Sequence, residues 1–162
     1  TLYWGPDQTR TSVEFWRLYG NHILEWKDDD LTLAVSYDVG TERIAGQPGS
    51  PRTFVMGGNI VAKWHVSGPW SLAVRPELYW DRNGRWTGQE QFVKALTSTV
   101  EYKVPYRWTT AIVRLEHRYD ESTGVGGGFF RRGEISPGTL GLAPAQHLLL
   151  LGLLWSFDSP QR

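Results

Sequence analysis

The stretch from Trp70 to Trp80, WSLAVRPELYW, alternates apolar with polar residues and carries an indole at each end. A period of two places alternate side chains on opposite faces of an extended strand, so the two indoles share a face. At a rise of about 3.3 Å per residue, ten steps span roughly 33 Å, and a strand tilted by about 40° covers roughly 25 Å along the axis. That matches the height of the apolar band of a bilayer-spanning β-barrel. The spacing recurs between Trp16 and Trp26, Phe54 and Trp64, and Phe92 and Tyr102, each pair on one parity. Amphipathic rings settle at both headgroup levels of a bilayer, which gives two girdles a physical cause.

The 162 residues suffice for one domain, and nothing divides it, so residues 1–162 are expected to form a single barrel domain. The chain starts at Thr1 with no charged-then-apolar leader, so it reads as a mature chain or an excerpt. Seventeen Lys and Arg balance seventeen Asp and Glu, which removes the electrostatic argument for nucleic acid as a partner. Cysteine is absent, so disulfides and thiol chemistry are excluded. The longest apolar run, LLLLGLLW from Leu148 to Trp155, is too short for a spanning helix. A barrel needs no such run, because only alternate residues face lipid.

Period-two segments predict strands near residues 15–27, 31–41, 54–66, 70–81, 92–104, 108–120 and 147–157, with TLYW as the end of another. The fold class expected is therefore all-β: an antiparallel transmembrane meander barrel with about eight strands in this chain. The connections DDD, SGP and PYR are short, whereas GPDQTRTSVEF, RIAGQPGSPRT, RNGRWTGQEQ and the segment from Glu121 to Gln146 are long. Short turns at one end and long loops at the other distinguish an outer-membrane meander from a soluble sandwich.

With the girdle parity taken as outward, that face carries Trp16, Trp26, Phe54, Trp64, Trp70, Trp80, Tyr102, Tyr119 and Trp155 as lipid-interface residues. Between them lie Leu31, Leu33, Val35, Leu72, Val74, Val113 and Leu115. The opposite parity carries Arg17, Asp38, Lys63, Arg75, Glu77, Glu101, Arg114, Glu116 and Arg118, the candidate lumen-lining residues. Among strand charges Lys94 alone falls on the apolar parity, close enough to a rim to snorkel. One solvent is thus apolar and the other is water, but alternation does not say which is inside. The competing arrangement is a lipocalin-like barrel with the apolar face inward, which would have to fit tryptophans at both ends of its interior.

Phe157 closes the last segment on the outward parity, as in the assembly signal of bacterial outer-membrane barrels, which is read by the barrel assembly machinery. Two features fit less well. Pro76 removes a ladder N–H in mid-strand, so a bulge or local irregularity is expected there. Leu148, Leu150 and Leu154 occupy the nominally polar parity of the last strand.

The segments TLYWGPDQ, FWRLYGNHILEWKDDDLTLAVSYDVGTE, WSLAVRPELYWDRNGRWTG and STVEYKVPYRWTTAIVRLEHRYDES resemble the C-terminal portion of the outer-membrane β-barrel porins called OmpL-like. The resemblance implies a Gram-negative outer-membrane protein with a pore-forming role, whose remaining strands precede Thr1. Membrane lipids, the assembly machinery, and further strands or subunits of an envelope complex are the partners expected.

No catalytic, metal or cofactor site is expected. His22, His65, His117 and His147 have no close ligand spacing. Ser98 and His117 share the outward parity, as in an outer-wall phospholipase, but the expected hairpin register holds Ser98 about three residues from the position opposite His117. GVGGG at Gly124–Gly128 lies between strands and reads as a flexible loop rather than a phosphate cradle. A two-residue turn at Asp29 and Asp30 pairs Arg17 with Glu42 and Asn21 with Asp38, so the inward charges read as a salt-bridge ladder and as a selective pore lining. The function expected is passive passage of small polar solutes or ions, and the alternative is a non-conducting structural or scaffold barrel of an envelope complex.

Overall fold

The computed structural model describes residues 1–6, 13–46, 48–49, 51–106, 109–124, 128–136 and 139–157. Its strands are β1 (Leu2–Pro6), β2 (Trp16–Lys27), β3 (Leu31–Arg43), β4 (Arg52–Ser67), β5 (Trp70–Asp81), β6 (Gln91–Tyr106), β7 (Thr109–Thr123), β8 (Phe129–Ser136), β9 (Thr139–Ala143) and β10 (Ala145–Phe157). A single 3-10 turn, Val13–Phe15, leads into β2. Eight of the strands make one antiparallel meander in the order β1-β2-β3-β4-β5-β6-β7-β10, and β8 with β9 forms a separate hairpin. The segment from Glu121 to Gln146, expected as a plain loop, therefore holds the end of β7 and a hairpin of its own. The alternating segments mark where strands lie because every second side chain meets the same solvent throughout, a pattern only an extended chain can satisfy.

Turn chemistry sets the register. Asp28 Oδ1 accepts from the amides of Asp30 at 3.0 Å and Leu31 at 2.8 Å, and the Asp28 amide donates to the Leu31 carbonyl at 3.0 Å. This closes DDD as a two-residue turn and places Arg17 opposite Glu42 and Asn21 opposite Asp38, as expected. Gly68, at φ 53°, supplies the left-handed residue of the β4–β5 turn, where a side chain would be strained. A register shift follows at His65/Ser67. Pro76 produces no bulge: its pairing with Leu96 of β6 is intact, while the β4 side skips from Asn59↔Glu77 to Ala62↔Val74 without changing register. The proline nitrogen, with no hydrogen to donate, thus faces β4 and interrupts that ladder alone.

Burial resolves which face is sheltered. Along β5 the apolar parity is exposed at every position from Trp70 to Trp80, and the polar parity is half-buried or buried. Among the described residues the buried polar groups are Glu42, Thr53, Asp81, Thr97, Thr99, Glu101, Asp120 and Ser122, against two buried apolar residues, Val55 and Ala95. The sheet curls around its charged face and presents Leu, Val and Trp outward. That overturns the lipocalin-like arrangement, whose core would be built from the apolar parity.

A closed barrel is not what these strands form. β1 and β10 each pair on one side only, so the sheet is open at both. β1 covers β2 from Trp16 to Gly20, and the Thr1–Asn21 amide exchange adds one step. Ile23 and Leu24 of β2 are 71% and 74% exposed as a result. A five-residue edge cannot satisfy the thirteen-residue edge of β10.

Candidate functional site: the charged concave face

On the concave face, long side chains reach across neighbouring strands in ion-paired groups. Toward the short-turn end, Glu101 of β6 is held by Lys63 of β4 and by Arg114 of β7, whose Nε lies at 2.8 Å. In mid-sheet, Arg118 of β7 pairs with Glu77 of β5 and donates from Nε to Asp120 Oδ1 at 2.8 Å. Gln146 of β10 donates to the other oxygen of Asp120 at 2.8 Å, and Arg75 Nε lies 3.2 Å from Glu77 Oε1. Thr99 donates to Glu116 Oε2 at 3.2 Å. The bridges from β4 to β6 and from β5 to β7 reach over the strand between, on the face that burial shows to be sheltered. Glu77, Glu101 and Asp120 each have a cationic neighbour, which offsets the cost of desolvating them.

The long-loop end is built differently. Glu42, with no exposed side-chain surface, is gripped by Arg17, whose Nε is 2.8 Å away, and by Arg85 from the connection between β5 and β6. Asp81 at the end of β5 holds that connection: its carboxylate accepts from the amides of Arg85 at 3.1 Å, Trp86 at 2.8 Å and Thr87 at 2.7 Å. The loop is thereby folded back over the concave face. The Arg17 guanidinium lies 4.3 Å from the Trp86 ring centroid, and Tyr19 packs against the same indole with ring centroids 6.1 Å apart. Beside it, Asp38 Oδ1 accepts from Tyr19 Oη at 2.8 Å and Asn21 Nδ2 at 2.7 Å. A cavity of about 400 Å3 opens here.

All nine lumen candidates, Arg17, Asp38, Lys63, Arg75, Glu77, Glu101, Arg114, Glu116 and Arg118, lie on this one face, but the structure divides them. Arg17 and Asp38 belong to the long-loop end, Lys63, Glu101 and Arg114 form one ion-paired group below and Arg75, Glu77 and Arg118 another, and Glu116 accepts from Thr99. The nine girdle candidates occupy the convex face at two levels. Trp26, Trp64, Trp70, Tyr102 and Trp155 lie toward the short-turn end with Phe157, and Trp16, Phe54, Trp80 and Tyr119 toward the long loops. Trp70 meets Tyr102 edge-on at 4.7 Å, Phe54 meets Trp80 edge-on at 5.9 Å, and Trp155 stacks on Phe157 at 6.4 Å. The start of the strand expected at Trp108 lies outside the described residues.

Two expectations need correction. Lys94 is not alone on the convex parity, since β3, β4 and β7 run further than their alternation suggested and add Arg43, Arg52 and Glu121 there. Arg43 and Arg52 pair with each other two residues past Phe54, where Arg52 caps the Trp16 ring at 4.2 Å, and Glu121 lies opposite Lys94. Ser98 and His117 are direct cross-strand partners rather than three residues apart, because β6 and β7 stay in one register as far as Tyr106 and Thr109. His117 places Nε2 3.2 Å from His147 Nδ1, with the imidazoles stacked at 5.4 Å.

Glu42 was legible only as the partner of Arg17, and Arg85, Trp86, Tyr19 and Tyr79 escaped notice as site residues. A signal for them exists in Gly40 and Gly57, two glycines inside otherwise regular strands, which mark places where another group approaches the backbone closely. Among the described residues no helix is long and apolar enough to cross a membrane, and no three His, Asp or Glu converge as a metal site.

In comparison with known proteins, residues 1–157 match the family model described as "Putative beta-barrel porin-2, OmpL-like". No curated protein and no solved structure matches the chain.

Proposed function

The chain belongs to this family of OmpL-like β-barrel porins, and from that premise we propose that its eight-stranded sheet is part of the wall of a bacterial outer-membrane channel for small polar solutes or ions. The observation that carries the reading is the inversion of burial: Glu42, Asp81, Glu101 and Asp120 are sheltered while Leu72, Val74, Leu115 and the tryptophans are exposed. Such a surface is stable where hydrocarbon lies outside and water inside. The concave ion pairs then line the lumen and set its selectivity, and the two levels of aromatics anchor the wall at the headgroups. Phe157, at the end of β10, is the residue the barrel assembly machinery reads.

Closure on these eight strands alone is unfavourable. Most of the β10 edge would face lipid unpaired, at several kcal/mol per lost backbone partner. Strands beyond these eight, from the same protein or another subunit, therefore complete the barrel. A wider circumference also leaves an aqueous lumen, which eight strands do not.

Planar-bilayer recording on the full-length protein tests the proposal. Stable conductance steps whose cation-to-anion selectivity shifts on Arg114→Glu are expected. A correctly folded, heat-modifiable protein that gives no conductance would replace this reading with the scaffold one.

A further inference from the structure

We propose that the long-loop end of the concave face is a binding subsite for a neutral pyranose sugar, lined by Tyr3, Tyr19, Tyr79 and Trp86 and polarised by Asp38. This inference rests on the reading of the concave face as the lumen, and it names a solute class for it.

The site is built rather than incidental. Gly40 and Gly57 let the rings seat directly on the inner wall: a Cβ at Gly40 would sit 2.8 Å from Val55 Cγ1, 3.1 Å from Tyr19 Cδ2 and 3.2 Å from Trp86 Cζ2, and one at Gly57 would sit 3.0 Å from Tyr79 Cδ2. Glycine weakens a strand interior, so two of them beneath the Tyr19, Trp86 and Tyr79 rings trade ladder stability for the seating of three aromatic side chains. Trp86 reaches the recess from a loop and is held there by the three backbone amides on Asp81. Its own indole Nε1 is buried and has no acceptor among the described residues. The resulting cavity of about 400 Å3 is of the size that holds a small organic ligand.

Chemistry selects the ligand. Aromatic walls carry negative π-faces that attract the polarised C–H groups of a sugar ring. Both hydrogen bonds to Asp38 fall on Oδ1, so Oδ2 is left to accept from ligand hydroxyls. Tyr19 donates its hydroxyl hydrogen to Asp38, and its oxygen can still accept. The two charged side chains that line the recess, Arg17 and Asp38, are of opposite sign. A cationic ligand would meet the Arg17 guanidinium and an anionic one the Asp38 carboxylate. A neutral polyol with an apolar ring face avoids both penalties.

Isothermal titration calorimetry on the full-length protein in detergent micelles would use the methyl glycosides of glucose, galactose and mannose as probes, with choline and inorganic phosphate as charged controls. Saturable heat from at least one glycoside is expected, weakened at least tenfold by Tyr79→Ala and by Trp86→Ala and retained in Tyr79→Phe. Heat-modifiable migration of each variant establishes that it folds. No heat from any glycoside, glycoside binding that survives both alanine variants, or tighter binding of choline or phosphate at the recess would overturn the proposal. Recording channels from the same preparation separates the two readings. Conductance without glycoside binding refutes the subsite alone, and glycoside binding without conductance refutes the channel alone.

Discussion

At the scale of single residues, the environment of each charge decides what its loss costs. Glu42 is wholly buried between Arg17 and Arg85, and Glu42→Ala would leave two guanidiniums facing each other. Removing one member of a buried ion pair typically costs 3 to 5 kcal/mol, and because both arginines keep some water contact the expected loss here is about 2 to 3 kcal/mol. Arg75→Ala, which removes a half-exposed partner of Glu77, should cost about 1 kcal/mol or less. Urea unfolding of the two variants in lipid vesicles checks the order, and equal losses would contradict it. Adjacent residues of β5 give a second contrast. Val74 is exposed on the convex face near mid-strand, whereas Ala73 faces the concave side opposite Lys63 and Thr99. Val74→Arg should destabilise by roughly 2 to 4 kcal/mol in a bilayer, and Ala73→Arg by clearly less. Similar costs in vesicle refolding would mean that the convex face does not meet hydrocarbon.

At the scale of elements, β10 stands apart from its neighbours. It pairs with β7 along its whole length, from Ala145↔Glu121 to Phe157↔Thr109, yet no strand among the described residues pairs with its other edge. Its convex parity carries Leu149, Leu151, Leu153, Trp155 and Phe157, and its concave parity carries Leu148, Leu150 and Leu154, all exposed. Strands whose two faces are both apolar and whose edge is open are prone to wrong pairing, so their partner must be delivered promptly. An assembly factor that reads Phe157 would meet that need. Phe157→Ala removes one exposed rim ring and one stack on Trp155, so folded stability should fall by under about 1 kcal/mol. Outer-membrane levels in cells should nevertheless drop several-fold. Quantitative immunoblotting of membrane fractions decides: equal levels of variant and wild type would remove the signal role from Phe157.

At the scale of the whole molecule, the pairing inventory forecasts what this chain does by itself. β1 supplies a ladder for Trp16–Gly20 of β2 and the Thr1–Asn21 exchange one more, and nothing among the described residues pairs with β2 from His22 onward on that side or with the outer edge of β10. The isolated 162-residue chain is therefore expected to give no heat-modifiable monomer and no stable conductance, and to associate through its edges. Supplied with the strands proposed to complete the wall, from the same protein or another subunit, the sheet should give both. Gel mobility of unboiled samples together with bilayer recording tests this, and a compact, closed monomer from residues 1–162 would show that β1 and β10 can meet after all.

The alternation of solvent preference was sufficient to place the seven main strands to within a few residues, the two-residue turn at Asp29–Asp30 and the pairing of Arg17 with Glu42, because these depend on neighbours along the chain or across one hairpin. The segregation of Arg114, Glu116 and Arg118 from Val113 and Leu115 was equally legible, since side-chain parity follows from strand geometry alone. Which face is sheltered was not, because a sheet of given alternation can curl either way, and curvature is a property of many strands together. The ion pairs that reach over a strand, from β4 to β6 and from β5 to β7, join residues of non-adjacent strands, and the recess gathers side chains from several strands and a loop, so neither follows from one hairpin. Trp86 reaches that recess from a loop with no periodicity to announce it, held by Asp81 through backbone amides that no side-chain pattern encodes. The open edges are likewise a tertiary result: an alternating sequence states that a strand needs neighbours, and only the assembled sheet shows which of them it has.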